Sequence, residues 1–138
     1  MPAITLATTA DFIIDKVNEL INVVLPGWTS FLTGVASTGT KKDGFIAPCN
    51  LTLSFVSIYS DVAPVGANLI IDINKNGTTM FTTQANRPKV LDGENAGADA
   101  VPDITAIAKG DRIDFDIDQI GSTTPGGNPL RVTIVFGV

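Results

Sequence analysis

At 138 residues the chain has the length of one domain, and a domain of that size buries roughly 70% of its unfolded surface, enough to fold without covalent staples. It has no histidine and 1 cysteine, which excludes His-based acid/base catalysis, a Ser-His-Asp triad, His-containing zinc sites and an internal disulfide. The net charge of −5 argues against nucleic acid and anionic membranes, because both require a basic face.

No basic residue precedes Lys16, so the start does not read as a secretory signal. The early uncharged run, 20–40, carries Asn22, Pro26-Gly27, Thr29, Ser30 and Thr33, which do not suit a membrane span. Within residues 10–25 (ADFIIDKVNELINVVL), Phe12, Ile13, Val17, Leu20, Ile21 and Val24 fall at helical spacing, with Asp11 as a cap. The end of that stretch is β-branched and stops at Pro26-Gly27, as a strand would. A short helix followed by a strand and one long helix both fit. Trp28, Phe31, Leu32 and Val35 form a second apolar run, and residues 37–44 (STGTKKDG) read as a polar loop. This apolar weight either completes the core or packs on a neighbouring subunit. The candidate assembly contacts are Phe12, Ile13, Leu20, Trp28 and Phe31. The spacing divides the chain into an N-terminal arm or assembly region at 1–40 and a β-sandwich domain at 41–138.

From Phe45 the chain reads as strand after strand. Residues 50–59 (NLTLSFVSIY) alternate at Leu51, Leu53 and Phe55, then change phase to Val56 and Ile58, which predicts a bulge or bend. Leu69, Ile71 and Ile73 run into Asn76-Gly77, a pair that tolerates positive φ and predicts a tight hairpin. A long loop at 86–102 follows; a loop of that length in a small domain has a task or is partly disordered. Residues 104–107 form a short strand. In 112–120 (RIDFDIDQI), Ile113, Phe115 and Ile117 face one way and Asp114, Asp116 and Asp118 the other. The last strand, 130–138, turns Leu130, Val132, Ile134, Phe136 and Val138 inward and Arg131, Thr133 and Val135 outward. Eight or nine short strands separated by Gly/Pro turns predict an all-β sandwich.

The motifs that could carry chemistry have plainer explanations. Residues 72–77 (DINKNG) match the opening of a calcium loop, but its twelfth position is Thr83 rather than a bidentate carboxylate, and the hairpin accounts for the same residues. Asp111, Asp114, Asp116 and Asp118 make an acidic row with alternate residues about 6.8 Å apart. Glycoside hydrolysis needs its two acids on opposite sides of a bond, which one strand face does not provide. The row reads as a solvated face partly matched by Arg112 and Arg131, with a weak cation site or an intersubunit salt bridge as the other uses. Cys49 has no basic neighbour in sequence to activate it and reads as a small buried residue. Trp28, Tyr59 and the loop 86–102 are the candidates for a sugar platform.

From Phe45 onward the chain resembles a family of β-sandwich modules in tailed-phage virion proteins. The likeness is carried by FIAP at 45–48, APVG at 63–66, LIIDINKNG at 69–77, NRP at 86–88, IAKGD at 107–111, IDFDIDQIG at 113–121 and PGGNPL at 125–130. It implies an antiparallel jelly-roll-like β-sandwich, here with an N-terminal arm or short helix. It also implies a non-enzymatic structural virion protein without cofactors or metal. The expected role is that of a capsid decoration (cement) protein, a homotrimer bound to the major capsid protein on the capsid surface and made in the host bacterial cytoplasm. The alternative is a tail or fibre module that binds host-surface glycan. The shortness of the chain and the lack of coiled-coil heptads favour decoration.

Overall fold

The computed structural model of the chain describes residues 27–137; Phe12, Ile13, Leu20, Val138 and the helix-or-strand question at 10–25 lie outside the described residues. The described residues form nine strands and one short 3-10 turn, Gln84–Asn86. Sheet A contains β1 (Gly27–Leu32), β9 (Gly127–Gly137), β3 (Leu51–Val62) and β7 (Ala106–Ile107), in that spatial order. Sheet B contains β2 (Gly39–Ile46), β8 (Arg112–Gln119) and β4 (Leu69–Lys75), in that order. The short strands β5 (Thr78–Thr79) and β6 (Lys89–Val90) pair with opposite ends of β4. All pairings are antiparallel. The fold is therefore the all-β sandwich that the alternation predicts. It takes in β1 and the start of β2, which lie in the stretch the spacing assigns to the 1–40 arm.

The core lies between the sheets. Leu53, Val56 and Ile134 enter it from sheet A; Ile71, Ile73 and Phe115 enter from sheet B. Met80 and Phe81, just past the hairpin, plug it from the side with no exposed surface. Each such side chain contributes about 1.5–3 kcal/mol by leaving water. At the margin, Trp28 packs on Phe45 with ring centroids 5.1 Å apart, and Phe45 meets Phe136 edge-on at 6.0 Å.

Local chemistry sets the turns and offsets. Asn76 and Gly77 have φ of 51° and 86°, so both central residues of the β4–β5 hairpin are left-handed, as a two-residue turn that matches strand twist requires. The phase change in β3 is a true irregularity, because its register on β9 shifts between Leu53 and Phe55. That shift keeps Leu53, Val56 and Ile58 all in the core.

The long loop has a structural task. Its main chain runs along the side of β3 that faces away from β9. Ala100 exchanges two hydrogen bonds with Val56, at 2.8 and 2.9 Å. Gly97 donates to Ile58 at 2.9 Å, and Ser60 donates to Asn95 at 2.7 Å. An edge that would invite another strand is thereby closed.

Candidate docking surface

Burying one face of each sheet leaves two broad outer faces of opposite character. On sheet B the outward positions of β8 and β4 collect Asp72, Asn74, Asp114, Asp116 and Asp118. Asp72 lies directly across from Asp116, and Asn74 across from Asp114.

Each carboxylate is held by groups of its own fold. Asp114 accepts from Arg112 Nε at 3.0 Å. Asp116 accepts from the Lys41 amide at 2.8 Å and from Asn74 Nδ2 at 2.9 Å. Asp118 pairs with Arg87, which stands where the long loop begins. Asp72 accepts the Thr79 hydroxyl at 2.6 Å and is also reached by Gln84 Nε2 at 3.4 Å. Burial raises the Asp72 carboxyl above its ordinary 3.8; those two hydrogen bonds oppose the shift and the charge of Asp118 adds to it. Beyond the row, a hydrogen bond from Asn76 and the Ala108 amide hold Asp111 below 3.8, and the Thr83 amide does the same for Asp103. Among the described residues no three His, Cys, Asp or Glu side chains are grouped to hold a metal ion. The arrangement is a hydrogen-bonded acidic surface.

Of the two arginines that the sequence sets against this row, Arg112 joins it and Arg131 does not. Arg131 is on the outside of sheet A. Arg87 takes the second pairing role, and no strand periodicity points to it because it stands in a loop. Cys49 is free and half-buried.

The sugar-platform residues are not brought together. Trp28 turns inward on Phe45, and Tyr59 stands beside Arg131. The long loop does build an open groove of about 670 Å³, whose wall includes Asn86, Arg87, Lys89, Leu91, Glu94 and Val101. Neither Trp28 nor Tyr59 lines it. Its two cations are engaged locally: Lys89 Nζ donates to the Ala85 carbonyl at 2.7 Å, and Arg87 is paired with Asp118.

The outer face of sheet A is built from three cross-strand rows. Phe31, Arg131 and Tyr59 are direct neighbours on β1, β9 and β3. The Arg131 guanidinium carbon lies 5.5 Å from the Phe31 ring centre and 5.2 Å from that of Tyr59, so the cation is held between two π faces. The next row is Thr29, Thr133 and Ser57, with the two threonine hydroxyls hydrogen-bonded at 3.0 Å. The third is Gly27, Val135 and Phe55. No position of the three rows is a carboxylate. Phe31 is 56% exposed and Tyr59 37%, whereas Trp28, three residues before Phe31, packs against the core. Two of the candidate assembly contacts thus fall on opposite faces of one strand.

No protein-family model matches the chain, and neither a curated protein nor a solved structure matches it.

Proposed function

We propose that this chain is a structural virion protein of the capsid decoration type, which docks on the shell of a tailed-phage head as a trimer and stabilises it. The observation that carries this reading is the division of charge between the two outer faces. In a chain of net charge −5, the three rows of the sheet A face have aromatic, hydroxyl and aliphatic residues around one arginine, with Asp61 exposed beyond them on β3, while Asp72, Asp114, Asp116 and Asp118 share the outer face of sheet B. A neutral face centred on aromatic and arginine side chains has the composition of a protein interface core. An acidic opposite face suits exposure to water.

The topology supports the same reading. With β5 or β6 taken as the outermost strand of sheet B, the orders 1-9-3-7 and 2-8-4-5 wind the chain back and forth between two four-stranded layers, as a jelly roll does. The proposed mechanism is mechanical. A trimer that buries surface on more than one capsid subunit makes their separation cost more, and linkage of three modest contacts multiplies their effect.

The test is co-sedimentation of the purified protein with undecorated heads of the encoding phage and, separately, with host cells. Saturable binding to heads, near one trimer per local threefold position, is the expected result; absence of binding to heads refutes it. Removal of residues 1–20 is expected to abolish binding and leave the sandwich folded. A second reading, a tail or fibre module for host glycan, draws on the groove beside the long loop, with Asn86, Lys89 and Glu94 as polar groups. Binding to cells alone, competed by free glycan, would establish that reading instead.

A further inference from the structure

We propose that Arg131, clamped between Phe31 and Tyr59, is the anchor of the sheet A face and receives a carboxylate from the partner protein. This specifies the partner's chemistry at the docking face and rests on the decoration reading only for the identity of the partner.

The clamp is built by strand register rather than by loops. Phe31, Arg131 and Tyr59 lie across three hydrogen-bonded strands, with the guanidinium 5.5 and 5.2 Å from the ring centres. A ring flanks the guanidinium carbon on each side, and a guanidinium forms its hydrogen bonds in its own plane. Arg131 is itself exposed, so among the described residues its N–H groups are open to an acceptor. The ion pairs of the described residues are Arg87–Asp118 and Arg112–Asp114, and Arg131 is in neither. A side chain already held in place loses little rotamer freedom when a ligand arrives, which favours its use as an anchor.

The matching group is a single carboxylate within a neutral surface. A planar guanidinium forks onto a carboxylate through two parallel hydrogen bonds. Polyanions are disfavoured by the net charge of −5. Apart from Asp61, exposed two residues beyond Tyr59, the positions beside Arg131 are hydroxyl, aliphatic and aromatic, so the partner surface around the carboxylate is largely uncharged and apolar. A flat sheet face of this kind fits a protein better than a sugar, which is held in a concave site with convergent polar groups.

Two measurements test the proposal, one of which does not involve heads. Protein labelled with 15N-arginine is titrated with the capped tripeptide acetyl-Leu-Glu-Leu-amide, with sodium glucuronate, and with sodium chloride at equal ionic strength. The Arg131 Nε–H resonance is expected to shift saturably with the tripeptide and only weakly with chloride, and Phe31→Ala is expected to weaken the response. Equal responses to tripeptide and chloride overturn the proposal; a stronger response to glucuronate overturns it in favour of an acidic glycan. In the second measurement, Arg131→Ala, Arg131→Lys and Arg131→Glu, each shown to melt like wild type, are compared on heads. Loss of about tenfold or more in affinity for Arg131→Ala is expected, with a larger loss for Arg131→Glu and little rescue by Arg131→Lys, which has no fork. Wild-type occupancy by all three overturns the anchor while leaving decoration intact. If wild-type protein fails to bind heads, the decoration reading falls and the titration still decides the anchor.

Discussion

The Ser60 hydroxyl accepts the Gly127 amide proton at 2.6 Å and donates its own proton to the Val62 carbonyl, also at 2.6 Å. Ser60 is fully buried, at a point where the β3–β9 register shifts. One small side chain thus fixes where β9 begins relative to the bend in β3. Ser60→Ala would leave the Gly127 amide without its acceptor in a site closed to water. The expected loss is about 1–3 kcal/mol. It is read from the urea midpoint, followed by the emission of Trp28, the single tryptophan of the chain.

β1 tests inside against outside on one strand. Trp28→Ala removes a ring packed on Phe45, and the expected cost is about 3 kcal/mol, the low end for large aromatic truncations because the site is half-buried. Phe31→Ala on the opposite face loses mainly its contact with Arg131, and less than about 1 kcal/mol is expected. Thermal melts of the two variants check the ordering. Equal costs would contradict the facing of β1.

Gly97 lets the long loop lie flat on β3. A Cβ there would run into the Lys89 carbonyl oxygen and sit 3.0 Å from Ile58 Cγ1. Gly97→Ala should lift the loop and reopen the strand edge. Amide exchange at Val56 and Ser60, both bonded to the loop, should then accelerate roughly tenfold or more while the core of β8 stays protected. Unchanged exchange at Val56 would show that the loop does not guard this edge.

Asp72 gives a pH signature of defined sign. Its folded pKa lies above the ordinary 3.8, chiefly through burial. The folded state therefore binds the proton more tightly than the unfolded state, and stability falls as pH rises from 3.8 through the raised value, then levels. Asp72→Asn lacks this step, so its stability relative to wild type should climb across that window and stay flat above it. Asp103 and Asp111 act in the opposite sense. The Thr83 amide and the Asn76 side chain hold them low, so their contribution is present above 3.8 and is lost as pH falls through their folded values. Asp111→Asn should accordingly flatten the acid limb. Denaturant midpoints between pH 2 and 7 separate the two cases.

The parts of the fold that were legible in the sequence are those with a strict period or a special backbone angle. β8 and the last strand alternate cleanly because one side of each meets the core. The phase change after Phe55 marks a real register shift, and Asn76-Gly77 supplies the left-handed pair that the hairpin needs. β2 was hidden because it is an edge strand whose first half is Thr40, two lysines and the half-buried Asp43, which accepts from Ser30, so TKKDG has the composition of a loop. Its charges blunt an edge, and that same function erases the apolar signal. The guard role of the long loop was hidden for a different reason: main-chain hydrogen bonds leave no trace in side-chain pattern. The docking face was half visible. Phe31 stood out as an apolar residue, but its meeting with Arg131 and Tyr59 depends on register across three strands that are far apart in sequence.

The position of β9 between β1 and β3, and of β8 between β2 and β4, has a consequence for how the protein is made. Among the described residues, β1 has no strand to bond with until β9 arrives and β2 none until β8, while β3 waits for β9 on one side. Neither sheet can zip up in the order of synthesis. The emerging chain carries open strand edges until late, and then both layers close together in one cooperative step. Foldability of this chain is therefore decided by its final third, and a stop codon ahead of β9 would leave β1 and β3 without the strand that joins them.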